Sequence, residues 1–229
     1  GDHRDLHSFP TRRSSDLIVT IYEIGEVDGR HFFSMEYVPG DSLADLVRER
    51  PLAPRRAANY ISGVCEAVHL AHDNGILHRD IKPENFAFSL DMRHIVLIDF
   101  GLSKLFLEDG EHKPVRKTTQ LIGCLRYASI NSHDMIELSR RDDLISLIYT
   151  MMYMFCDTLP WENVAISTSS NSKKDVIKQL KMNHLRKIDT DDNTKLEQKL
   201  ANIASDIYNL EYDEKPNYFL IEIHFNNIL

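Results

Sequence analysis

The tripeptide His-Arg-Asp occurs twice in this chain, at His3-Arg4-Asp5 and at His78-Arg79-Asp80. Only the second copy lies in a stretch that narrows the choice of fold. There Asp80 is followed by Lys82 and Asn85. Two short strand-like runs, "FAFSL" and "HIVLIDF", flank a turn at Asp91, and Asp99-Phe100-Gly101 closes the stretch. Four polar residues at such offsets around two short β-runs constrain the chain more than any other feature. The first copy has His7 where the lysine should stand and Pro10 where the asparagine belongs.

Composition removes several function classes. With 229 residues, 42% hydrophobic and 27% charged, the chain is large enough for a real core. A formal charge of −8 argues against a nucleic-acid partner. Three widely spaced cysteines, Cys65, Cys124 and Cys156, form no CxxC pair, which speaks against a zinc site or a disulfide framework. A reducing cytoplasm or nucleus is the expected compartment. No segment reaches the roughly 18 apolar residues of a membrane span, and the first residues lack the apolar run of a signal peptide.

The pattern along the chain is α+β. Residues 18–38 read as two strands joined by an Asp28-Gly29 turn. Ser42 and Asp45 have capping-box spacing before a short helix with Leu43, Leu46 and Val47 inward. Ala57, Ile61, Val64, Val68 and Ala71 recur at helical steps until Gly75. From Gly101 to Asp143 there is no strong period, so a long functional loop with a short helix is expected. Residues 143–155 are apolar nearly all round, as a central buried helix would be. The run "STSSNSKK" at 167–174 reads as a polar loop, and Leu196, Leu200, Ile203, Ile207 and Leu210 mark a last helix. Glu66 and His69 form an ExxH pattern with His72 another turn on, read as a polar helix face because iron sites of that kind need a second copy. Trp161 and the methionines of 151–154 read as packing.

The polar residues around the second tripeptide suit phosphoryl transfer from ATP, which asks little covalent chemistry of a protein. Asp80 would orient an attacking hydroxyl and accept its proton. Lys82 would meet the transferring phosphate. Asn85 and Asp99 would supply oxygen ligands to Mg²⁺.

At this point the sequence resembles the eukaryotic-type protein kinases. Residues 18–80, with "IVTIYEIGEV" and "GILHRD", resemble bacterial serine/threonine kinases; residues 85–229 resemble the casein kinase 1 family through "LIDFGLSK", "RYASIN", "SRRDDL", "LPW" and "DEKPNY". The resemblance implies a protein-kinase-like fold with a truncated, two-stranded small lobe and a mainly helical large lobe. Residues 18–38 would be the small-lobe remnant and 39–229 the large lobe. It implies Met35 as gatekeeper, the backbone of Glu36 and Val38 against adenine, and Ser42 and Ala87 completing the nucleotide site. His78 would be a packing scaffold and Arg79 a partner for activation-loop charge. A protein substrate follows, with acidic or phosphorylated segments met near Arg116, Lys117 and Arg126, although a loop of solvated charges reads equally well.

Departures from the family pattern accompany this. Ala87 stands in place of a leucine, Cys124 in place of a threonine and Ile148 in place of a glycine. There is no Gly-rich phosphate loop, and no lysine precedes Lys82, so the strand lysine of the family has no counterpart in this chain. The chain reads as beginning at the fourth strand of the small lobe. Residues 1–17 resemble translated adaptor sequence. Residues 1–81 hold nine arginines and no lysine, whereas 82–229 hold twelve lysines and six arginines. This predicts a fusion of two coding sources meeting at "HRDIKPEN". The alternatives to an active kinase are a pseudokinase-like binding scaffold and a misassembled fragment.

Overall fold

A computed structural model describes residues 17–27, 30–49, 54–89, 94–156, 158–162, 170–186 and 195–226. The first His-Arg-Asp copy and the turns at Asp28-Gly29 and Asp91 lie outside the described residues.

The front of the chain forms the two expected strands. β1 (Ile21–Val27) pairs antiparallel with β2 (Arg30–Met35), with Ile24 opposite Phe33 and an irregularity between Ile21 and Glu23. A two-stranded sheet is marginal alone in water. Here the preceding residues tie it to the rest of the molecule. The Val19 N–H donates to the Leu97 carbonyl at 3.0 Å, the Leu97 N–H donates to the Leu17 carbonyl at 2.8 Å, and Val19 and Ile21 are buried in the common core.

Helices then take over. α1 (Leu43–Glu49) starts on the expected capping box: the Asp45 N–H donates to Ser42 Oγ at 3.1 Å and the Ser42 N–H to Asp45 Oδ2 at 3.3 Å. In α2 (Pro54–Asp73) the residues Ile61, Val64, Val68 and Ala71 all face inward. Gly75, at φ +74°, ends it in the left-handed region that glycine tolerates. β3 (Ile76–Leu77) leads into the polar stretch, which sits around the hairpin of β4 (Phe86–Phe88) and β5 (Ile95–Leu97), with Phe86 opposite Leu97.

Residues 101–143 carry more order than their sequence advertises. β6 (Lys104–Leu105) pairs with β3, β7 (Leu107–Glu108) with β8 (Glu111–His112), and α3 (Ile130–His133) is the short helix. α4 (Arg140–Cys156) is the central helix, buried from Asp142 through Met152 and again at Met154. Ile148 is fully enclosed there, and Trp161 is buried beside the helix with its ring 4.7 Å from that of Tyr149.

Two helices correct the sequence reading. α5 (Ser170–Arg186) takes in most of the run read as a polar loop, and α7 (Tyr218–Asn226) follows α6 (Lys195–Tyr208). α5 is largely polar, and its inner face includes Ile177 and a buried lysine, Lys181, so no apolar stripe announces it. The expectation of a polar face at His72 is corrected as well. His72 is buried, donating or accepting at 2.6 Å to the Tyr218 hydroxyl and at 2.9 Å to Asp143. Among the described residues no helix is long and apolar enough to cross a membrane.

Candidate active site

The loop that follows β3 carries Asp80, and its shape is imposed from below. Arg79 has φ +67°, a conformation that costs a non-glycine residue of order 1 kcal/mol or more. Asp143, at the start of α4, offsets this by accepting both the His78 and Arg79 N–H groups at 2.8 Å. Burial pushes the Asp143 carboxyl up, but the hydrogen bonds it accepts from the His72 side chain and from the backbone of the Asp80 loop win and hold it below the usual carboxylate value.

His78 is fully buried, and burial drives its imidazole below its ordinary pKa. Its neutral ring donates from Nε2 to the Ile98 carbonyl at 3.0 Å, accepts at Nδ1 from the Asp80 N–H at 3.3 Å, and stands edge-on to Phe100 at 4.9 Å. It therefore braces the two loops of the site against each other, in keeping with its expected scaffold part. Arg79 reaches across to the Leu102 carbonyl at 2.6 Å and to Glu137 at 3.4 Å; Lys104 holds the other Glu137 oxygen at 2.8 Å.

The Asp80 carboxylate is held on both oxygens. Oδ2 accepts from Lys82 Nζ at 2.5 Å and from Asn85 Nδ2 at 3.3 Å, and Oδ1 accepts from the Cys124 backbone N–H at 2.9 Å. The same Asn85 nitrogen donates to the Asp80 carbonyl at 2.8 Å. Burial pulls Lys82 down, yet the hydrogen bond and charge of Asp80 outweigh it and raise the amine above its usual value. Cys124 thus contacts the aspartate through its backbone, a contact that survives the replacement of threonine. The preceding Gly123, at φ +84°, lets this turn come close, because a Cβ there would stand 2.5 Å from the Arg79 carbonyl oxygen.

Asp99 lies at the far side of the same hairpin. The Ile98 N–H donates to the Asn85 carbonyl at 2.9 Å, so the residues on either side of β4–β5 return to one place. Asp99 sits at φ +60°, exposed, with Oδ1 accepting from the Gly101 N–H at 3.2 Å. Among the described residues Oδ2 has no protein partner. Asn85 spends its nitrogen on Asp80, which leaves its carboxamide oxygen as the free donor atom. One carboxylate oxygen and one amide oxygen at adjoining loop ends are hard donors, and they fit Mg²⁺.

The residues expected around a nucleotide base lie at the end of β2, on the segment that follows it and on β4, and of them Ser42 and Ala87 meet directly. Met35 is at the end of β2 and exposed, and the Glu36 N–H is taken by the Thr20 carbonyl at 2.8 Å. Among the described residues the Val38 N–H and C=O make no hydrogen bond. Gly40 permits the next residues to lie directly on β4, since a Cβ would fall 2.0 Å from the Phe88 oxygen. Ser42 pairs with Ala87 across this contact, and Ala87 is buried. The Ser42 hydroxyl is committed to Asp45 at 2.6 Å.

The three cations expected to meet acidic segments do not form one cluster of equivalent groups. Arg116 and Lys117 are exposed, whereas Arg126 pairs with Glu162 at 2.7 Å and lies over the rings of Tyr127 and Tyr153. Sequence reading missed Glu162 and Glu137 as partners, and Asp143 as the support of the Asp80 loop. No local pattern signals any of them, although the Asp142-Asp143 pair after two arginines is visible as a charge cluster.

Comparison with known proteins agrees with this arrangement. The sequence profile of the protein kinase domain matches residues 7–220. A protein of Encephalitozoon cuniculi named "Probable casein kinase I homolog" is 34% identical over 217 residues, 93% of this chain and 67% of that protein. A "Probable serine/threonine-protein kinase" of Dictyostelium discoideum is 38% identical over 167 residues, 71% of this chain but 32% of that protein. The first match covers both sides of the compositional change at residue 82, so it marks no junction there. A carboxylate, a lysine, an asparagine and a second aspartate gathered around one short hairpin, with these matches, place the chain in the protein kinase domain family.

Proposed function

We propose that this domain transfers the γ-phosphate of ATP to a serine or threonine hydroxyl of a protein, in the manner of the casein kinase 1 group. The observation that carries the reading is the Asp80 carboxylate, fixed by Cys124, Lys82 and Asn85 beside an Asp99 with an open oxygen. Asp80 orients the substrate hydroxyl and takes its proton as the new P–O bond forms. Lys82, paired to Asp80 and charged, lies where it can meet the transferring phosphate. Asn85 and Asp99 would hold Mg²⁺, and Met35, Glu36, Val38, Ser42 and Ala87 the nucleotide, with the Val38 backbone facing the base. Mg²⁺-ATP, when bound, supplies the phosphoryl group and neutralises its charge.

Acidic or phosphorylated substrate segments would be met by Arg116 and Lys117, with Arg126 released from Glu162 to join them. Cys65, Cys124 and Cys156, which form no disulfide among the described residues, support a cytoplasmic or nuclear setting. We assign residues 18–38 to the small lobe and 39–229 to the large lobe. The adaptor-like run "HSFPTRRSSDL" and the lysine imbalance across residue 82 are our grounds for a foreign origin of 1–17 and a fused origin near residue 82, against a profile match that starts at residue 7 and a relative that matches across both sides. Sequencing source RNA across Leu17–Ile18 and Asp80–Asn85 tests whether the fusion arose in assembly: reads that break there support that origin, and continuous reads refute it and leave a natural fusion.

The test of activity is transfer from labelled ATP to an acidic serine peptide. Wild type should transfer phosphate and Asp80→Asn should lose about 10²–10⁴-fold, because the positioned base is gone. One observation favours a second reading, a binding scaffold: Cys124 stands in place of the threonine whose hydroxyl would bond Asp80 and Lys82 in the family pattern. A thermal shift with ATP but no transfer would support the scaffold and defeat the enzyme.

A further inference from the structure

Lys181 is fully enclosed, yet among the described residues it has no carboxylate partner. Its Nζ donates to the Leu125 carbonyl at 2.9 Å and the Ala128 carbonyl at 2.6 Å, and lies 3.4 Å from His133 Nε2. The rings of Tyr149 and Trp161 flank it, with their centroids at 5.2 and 5.3 Å. A buried amine is costly unless it is fully hydrogen-bonded. Both carbonyls belong to the turn that begins at Cys124, whose N–H holds Asp80 Oδ1. Trp161 Nε1 donates to the Arg126 carbonyl in the same turn at 2.8 Å.

We propose that Lys181 is a positioning residue for phosphotransfer: it locks the Cys124–Ala128 turn from behind, so that the Cys124 N–H stays on Asp80. This rests on the kinase reading given above. The chemistry of the site is coherent for a neutral amine, which donates two protons to the carbonyls and offers its lone pair to His133 Nε2–H. Burial drives Lys181 down to about 7 and His133 down to about 3. The groups facing the amine are His133 from α3, Tyr149 from α4, Trp161, and Cys124 from the turn. On its own helix Lys178 is engaged with Asp134.

The sign follows from linkage. The folded value lies below the free value of 10.5, so the unfolded chain binds the extra proton between about 7 and 10.5. The Lys181 contribution to stability therefore rises with pH across that window and is least below 7. The turn should loosen as the pH falls.

Hydrogen exchange of the Cys124–Ala128 segment reads this directly, with or without catalysis. At pH 8 Lys181→Met should speed exchange of the Cys124 amide by about tenfold or more. Lys178→Met, which removes a half-buried cation one turn away on the same helix and its pair with Asp134, should leave it near wild type. The kcat of Lys181→Met should fall by about tenfold with KM for ATP unchanged, since the lost contact bears on Asp80 and not on the nucleotide. In wild type, protection of this segment, corrected for intrinsic exchange, should drop between pH 8 and pH 6. That arm decides the matter if Lys181→Met does not fold. Unchanged exchange in Lys181→Met, an equal effect in Lys178→Met, or pH-independent protection in wild type would each overturn the proposal. The expected exchange pattern in a protein that transfers no phosphate would defeat the kinase reading while the lock itself stands.

Discussion

Gly123 and Asp143 show how much of the site depends on single residues that perform no chemistry. A methyl group at Gly123 would meet the Arg79 carbonyl oxygen, and its φ of +84° is unfavourable for any other residue. Gly123→Ala should cost about 1–3 kcal/mol and lower kcat, measured by urea titration and by single-turnover transfer. Asp143 accepts from His72, His78 and Arg79 in a buried position. Asp143→Asn leaves at least one of those donors unpaired and should cost about 3–5 kcal/mol. Its folded pKa lies below the ordinary 3.8, so the stability it contributes is complete above that value and is lost as pH falls through the folded value. Acid unfolding of wild type, followed by circular dichroism, should show a stability loss below about pH 4 that Asp143→Asn lacks.

At the level of elements, α4 and α7 carry the large lobe. Ile148 stands on α4 where the resemblance places a glycine, yet it is fully buried, so the neighbouring packing has accommodated it. Ile148→Ala should cost about 2–5 kcal/mol through the cavity it leaves, checked by chemical denaturation. α7 docks on α2 through Tyr218, Ile221 and Phe225, and Tyr218 also bonds His72. α4 was legible because an all-round apolar run of that length has no other place in a protein of this size. α5 was not, because its inner face is built partly from Lys181, which sequence patterning counts as a solvent-facing residue. α7 escaped as well: Phe219, Leu220 and Ile223 are exposed beside its three buried residues, so it shows no apolar stripe.

For the whole molecule, the core runs from Val19 at the front to Phe225 near the end. The sheet of β1 and β2 is the weak region. Among the described residues it has two strands, and it leaves Tyr22 65% and Val27 59% exposed. Native-state hydrogen exchange should therefore show its amides opening at a much lower free energy than those of α4, which should exchange only by global unfolding. Equal protection in both would mean that the front is more firmly integrated than its contacts suggest.

Offsets and local patterns were enough to mark Asp80, Lys82, Asn85 and Asp99, the capping box at Ser42, the hairpin of β4 and β5, and the central helix. Each of these depends on residues a few positions apart, whose preferences are expressed wherever the chain goes. The tertiary structure alone decided the left-handed turn at Arg79, the support from Asp143, the pairing of Arg126 with Glu162 and the burial of Lys181. Those outcomes join groups 36 to 65 residues apart. Their strength is set by which dipoles and charges come to share an interior without water, and no local stretch of sequence contains that information.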